Sequence, residues 1–170
     1  MTVVTQFITD DGTDTGELVE IRRLYVQDGK VIKNSVTNQP GMQIWDSIND
    51  AMCAEQKVVF EDFDDHGRKG GLKAMGDSMD RGHVLVMSLW DDYDGNMLWL
   101  DSDYPPDRDP SEPGVSRGPC SPDSGDPDEV EDQFANSRTH FSKIRIGCLG
   151  CTFPGGEASL EMLPPLTQSE

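Results

Sequence analysis

Residues 82–104 read GHVLVMSLWDDYDGNMLWLDSDY. Two apolar runs, His83–Trp90 and Met97–Asp101, flank the polar segment Asp91–Asn96. Each run is short, rich in Val, Leu and Trp, and bounded by Gly or Asp, so each reads as a strand. Together they predict a β-rich chain with an antiparallel pair near its centre.

Other segments agree with that reading. Val3–Ile8 and Leu18–Val26 read as strands on either side of the acidic turn Asp10–Gly16. Within the second, Ile21 and Arg23 fall on one face and Arg22 and Leu24 on the other. Asp28-Gly29 is a tight-turn signal, and a short strand over Lys30–Asn34 follows. Arg138–Ile146 alternates too, with Phe141, Lys143 and Arg145 against Ser142, Ile144 and Ile146. Short helices are expected over Met42–Ala54, Gly71–Met79 and Val130–Phe134, the second carrying Leu72, Met75 and Met79 at helical spacing. Ala54–Gly71 reads as a surface loop, and Pro105–Pro127, full of Pro, Asp, Ser and Gly, as a longer one. The stretch after Phe153 has no periodicity and reads as a loosely ordered tail over 157–170.

The chain has 170 residues, enough for one domain with a core. Its 17 Gly and 11 Pro favour many turns and an all-β fold over a helical bundle. The formal charge is −18, from 32 acidic against 14 basic residues. Such a chain repels nucleic acid and anionic membranes, so neither is expected as a partner. No apolar run is long enough for a transmembrane helix, and the N-terminus MTVVTQFITDDG lacks the pattern of a signal peptide.

Few motifs carry chemistry on their own. Cys148 and Cys151 form a C-x-x-C without a second pair, which argues against zinc and suits a local disulfide. Cys53 and Cys120 lie in loop-like surroundings, where secreted proteins place disulfides. No nucleophile elbow, zinc-protease motif or phosphate loop occurs, and His66, His83 and His140 are isolated. No cofactor and no metal is implied.

Trp90 and Trp99 are the strongest binding candidates. In a two-residue hairpin closed by Asp94-Gly95 they would face each other as a packed cross-strand pair. In a wider loop over Asp91–Asn96 they would be spaced along a groove. Aromatic faces flanked by Asp91, Tyr93 and Asp94 would suit a neutral, polyhydroxylated ligand, because carboxylates accept hydrogen bonds from hydroxyls. Arg23 and Arg117 stand out because bases are scarce. A guanidinium fork grips paired hydroxyls or a carboxylate, or simply pairs with one of the many acids.

The blocks MTVVTQF, RRLYVQDGKVI, KGGL, HVLVMSLWDDYDGNMLWLDSDYP, PGVSRGPCSPDSG and FSKIRIG resemble, in order, consecutive parts of glycoside hydrolase family 7. This is the cellobiohydrolase and endoglucanase family, and the resemblance covers residues 1–156. It implies a concanavalin-like jelly-roll β-sandwich, present in part, with long loops and a few short helices. It further implies a secreted, retaining hydrolase acting on β-1,4-glucan, with cellulose or cello-oligosaccharide as partner and a monomer when complete. Residue by residue, Trp90 resembles the glycone-side sugar platform and Trp99 the product-side one. Tyr104, Arg117 and Arg23 match product-side positions, and Asp91, Tyr93 and Asp94 a loop that leans over the cleft. The length of Pro105–Cys120 favours a cellobiohydrolase over an endoglucanase.

The departure is equally specific. The family's catalytic strand is E-x-D-x-x-E, and that spacing occurs nowhere in this chain. The resemblance is to the C-terminal part of the catalytic domain, a fragment expected to lack catalysis alone. The alternatives it leaves are a non-catalytic glucan-binding remnant and an endoglucanase of the same family. Cys53 and Cys120 match cysteines whose family partners lie upstream, so the two are expected not to bond each other. Marginal folding and aggregation are expected where strands lack neighbours.

Overall fold

The computed structural model describes residues 1–156. The expected tail, 157–170, lies outside the described residues. Three strands form one antiparallel sheet in the order β1 (Thr2–Thr9), β2 (Leu18–Gln27) and β3 (Lys30–Lys33). β1 and β2 pair from Thr2↔Val26 to Ile8↔Glu20, with an irregularity at Ile8/Thr9. Asp28 and Gly29 both take positive φ and bring Lys30 opposite Gln27, as the tight-turn signal predicts.

Alternation sorts the sheet into two faces. Val4, Leu24 and Val26 are buried with Phe153, and Val31 packs against them. On the same face Gln6 and Glu20 are buried, and the Glu20 carboxylate accepts from Arg22 Nε at 2.5 Å. On the opposite face Val3, Phe7 and Ile32 are exposed. The described residues thus hold one three-stranded sheet with short helices, and no second sheet packs on it among them.

The helices are α1 (Asp50–Val59), α2 (Asp65–Arg68), α3 (Gly71–Asp80), α4 (Leu98–Asp101) and α5 (Pro127–Phe134). α3 matches the Leu72/Met75/Met79 periodicity and packs on β2, where Gly76 stands against the Leu18 side chain. Its Leu72 is 1% exposed. Gly70 gives α3 no side-chain cap, and Asp50 from α1 takes that place by accepting from Leu72 N at 2.9 Å. α5 extends the expected turn at Val130–Phe134 back to Pro127, where Asp126 caps it and Pro occupies the first turn.

Five expectations need correction. The helix expected over Met42–Ala54 starts at Asp50, because Ile48 is held extended by paired hydrogen bonds to Ile21 and Asn49 caps the helix behind it. The surface loop expected over Ala54–Gly71 contains the rest of α1 and all of α2. Glu55 on α1 anchors the segment before it, accepting from Trp45 Nε1 at 2.5 Å and Gln43 N at 3.0 Å. Met97–Asp101 is not a strand: positive φ at Asn96 and Met97 turns the chain into the single helical turn α4. His83–Trp90 and Arg138–Ile146 form no ladder among the described residues. Both carry apolar side chains on alternating or on both faces, and such a segment becomes a strand only when a neighbour satisfies its backbone and a layer covers it. Among the described residues neither is present, and Val84 and Ile146 are 87% and 96% exposed.

Candidate functional site

The Asp91–Asn96 segment is a wide loop built from overlapping turns. Asn96 N donates to Asp92 O at 2.8 Å and Leu98 N to Gly95 O at 2.9 Å. Asp92 Oδ1 accepts from Asp94 N at 3.1 Å, the side-chain turn that Asp favours two residues before its donor. Trp90 and Trp99 are therefore not a cross-strand pair closed by Asp94-Gly95. The wider-loop reading holds for the turn, without strands on its flanks.

Behind the loop, two backbone stretches are zipped together. Tyr104 N donates to Val115 O at 2.9 Å, Arg117 N to Ser102 O at 3.0 Å, and Cys120 N to Asp101 O at 3.0 Å. Fully buried Ser102 adds a bond from its hydroxyl to Cys120 O at 2.8 Å. Leu98 and Val115 are buried beside it. Gly125 lies so close to Asn96 O that a Cβ there would clash, which docks the far end of the 105–127 loop on the turn.

This frame brings Trp99, Tyr104 and Arg117 together. Arg117 Nη1 donates to Trp99 O at 2.9 Å and Nε to Gly114 O at 2.9 Å. Its guanidinium carbon sits 5.4 Å from the Tyr104 ring centroid, a cation–π distance. Trp99 is 36% exposed, and its Nε1 donates to Asp92 Oδ2 at 2.8 Å. That bond, before all other causes, holds the Asp92 carboxyl below its ordinary value of 3.8. Asp92 thus stays an ionised acceptor, opposite in direction to a carboxyl raised for acid catalysis.

The other expected residues are placed less tightly. Trp90 is 66% exposed, with no hydrogen bond to its indole among the described residues. Tyr93 Oη donates to Glu131 Oε1 on α5 at 3.0 Å, which pushes the phenol up to about 12. Asp91 and Asp94 lie on the exposed rim of the turn. Arg23 stands on β2 opposite Thr5, exposed, with none of the contacts that join Trp99, Tyr104 and Arg117. Cys148 and Cys151 form a local disulfide, and Cys53 and Cys120 are free, Cys53 on α1 and not in a loop. Asp92 and Glu131 were not singled out from sequence. The D-x-D-G turn pattern over Asp92–Gly95 is a local signal that could have found Asp92, whereas nothing local marks Glu131.

A model of glycosyl hydrolase family 7 matches residues 1–153. A family 7 cellobiohydrolase from Daphnia pulex is 60% identical, with a TM-score of 0.75 over 79% of this chain and 30% of that one. A Melanocarpus albomyces cellobiohydrolase complexed with cellotetraose is 36% identical, with a TM-score of 0.65 over 78% and 28%. An endoglucanase I complexed with cellobiose is 37% identical, with a TM-score of 0.59 over 77% and 28%. This chain therefore spans less than a third of the length of these solved relatives. With its sequence blocks in order and its fold superposable, the chain belongs to glycosyl hydrolase family 7.

Proposed function

We propose that this chain supplies the product-side part of a β-1,4-glucan cleft in a cellulose-degrading, cellobiohydrolase-type member of the family. In this reading Trp99 is the sugar platform and Arg117 and Tyr104 bind hydroxyls beside it. Trp90, Asp91, Tyr93, Asp94 and Arg23 serve as outlying contacts. The observation that carries the reading is the Trp99–Arg117–Tyr104 cluster. An aromatic face, a guanidinium and a phenol converge on one partly exposed surface, the chemistry a pyranose needs. It is supported by solved relatives that carry cellotetraose and cellobiose. The long 105–127 loop and the 60% identity to the Daphnia cellobiohydrolase support that type over an endoglucanase. The jelly-roll sandwich, the retaining mechanism and secretion belong to the same proposal, as family properties.

Glycoside hydrolysis generally uses two positioned carboxyl groups, and the family's E-x-D-x-x-E spacing is missing from these 170 residues. That absence favours a second description of the isolated chain, glucan binding without cleavage. A soluble cello-oligosaccharide incubated with the 170-residue chain should remain intact, while cellobiose should perturb its tryptophan fluorescence. Turnover would refute the missing-carboxylate reading, and an unchanged fluorescence the binding one.

A further inference from the structure

We propose that Asp92 is the positioning residue of the Trp99 platform: its carboxylate fixes the indole plane and so sets affinity for sugar. The proposal rests on the reading of Trp99 as a sugar-binding surface. A tryptophan more than a third exposed has little packing to hold its ring, and an unheld ring costs a ligand the entropy of ordering it. Here both ends of the residue are tied. Arg117 Nη1 holds the backbone carbonyl at 2.9 Å, and Asp92 Oδ2 holds the indole N–H at 2.8 Å. The carboxylate is fixed in turn, because Oδ1 accepts from Asp94 N at 3.1 Å. One side chain therefore bridges the backbone of the turn and the ring of the platform.

Gly95 closes the arrangement. A Cβ at that position would stand 3.0 Å from Asp92 Oδ2, 3.5 Å from Trp99 Cδ1 and 3.8 Å from Tyr104 Cε2. The absence of a side chain there lets the turn lie against both the carboxylate and the two rings. A larger residue would push the carboxylate off the indole without removing it. The turn thus acts as the mount of the platform, in addition to whatever its tip contacts.

The test uses the 170-residue chain, its Asp92→Ala, Asp92→Asn and Gly95→Val variants, and cellobiose as probe. Hydrogen exchange of the Trp99 indole N–H is read by NMR, with Trp99→Phe identifying the resonance, and affinity by fluorescence titration. The wild type and Asp92→Asn, which keeps an acceptor oxygen, should protect that N–H and bind cellobiose within about threefold of each other. Asp92→Ala and Gly95→Val should lose the protection and bind about tenfold more weakly, the loss of one hydrogen bond to a charged group. A wild-type Trp99 N–H that exchanges as fast as that of Trp90 overturns the inference. So does a cellobiose affinity unchanged in Asp92→Ala. If the wild type protects the N–H but does not respond to cellobiose, the positioning role is supported and the sugar-binding reading falls. The wild-type exchange readout needs no Asp92 or Gly95 variant, so a substitution there that fails to fold still leaves the inference decided.

Discussion

At the residue scale, this site works through hydrogen bonds that fix orientation. Tyr93 and Glu131 illustrate it, because one bond ties the Asp91–Asn96 loop to α5, 38 residues further on. The raised phenol pKa has a defined consequence. The bond is fully present below the ordinary value of 10.0 and is lost as pH rises through about 12. Glu131→Gln should return the phenol toward 10.0, read as an alkaline shift of tyrosine absorbance at lower pH than in the wild type. A titration curve unchanged by the substitution would show that the bond does not form. The thiols give a second check at this scale. Cys120 is exposed, with its thiol pushed up by a hydrogen bond to Asp101, and Cys53 is pushed up mainly by burial. Both raised values slow alkylation, but both thiols are free, so alkylation at alkaline pH before reduction should label Cys53 and Cys120 and leave Cys148 and Cys151 joined, as peptide mass mapping would read. A Cys53–Cys120 bridge would contradict it.

At the element scale, the helices are short and are set by their ends. α1 begins where Asn49 takes an extended backbone and its side chain accepts from Met52 N at 2.9 Å. Asn49→Ala should cost about 1 kcal/mol, and the loss should appear as faster amide exchange through α1, while the β1–β2 hairpin is spared. Loss spread evenly over the chain would argue that α1 and the sheet unfold as one unit. The hairpin was readable from sequence because its signals are local: alternation in β1 and β2 and the Asp28-Gly29 turn. The boundary at Asn49 was not, because the pairing of Ile48 with Ile21 is a contact across 27 positions that no window of sequence contains. The same holds for α4, where the apolar run Met97–Leu100 suits a strand until the turn hydrogen bonds of the loop bend it.

At the scale of the whole molecule, burial is incomplete. Val84, Leu85, Val86, Leu89 and Trp90 are exposed along one segment, and Phe141, Ile144 and Ile146 along another. A cavity of 870 Å³ lies between the β1–β2 hairpin, α3 and residues 145–152. Buried Gln6 Nε2 finds no hydrogen-bond partner among the described residues. Exposed apolar segments of this kind associate, against which a charge of −18 gives long-range repulsion. Light scattering on the isolated chain should show association that grows with concentration and with salt, since salt screens the repulsion. Val86→Asp with Leu89→Asp should reduce it. A monodisperse monomer with one sharp cooperative unfolding transition would show that the exposed runs are harmless.

The sequence by itself determined the family, the β1–β2–β3 hairpins and α3, and singled out Trp99, Tyr104 and Arg117 as candidates. These rest on local periodicity, turn chemistry and ordered motifs. Only the tertiary structure decided that Arg117 clamps the Trp99 carbonyl, that Asp92 holds its indole and that Arg23 stands apart. It also decided that His83–Trp90 and Arg138–Ile146 have no ladder among the described residues. A side chain's partner depends on which distant segments meet, and a strand exists only where a second backbone meets its hydrogen bonds.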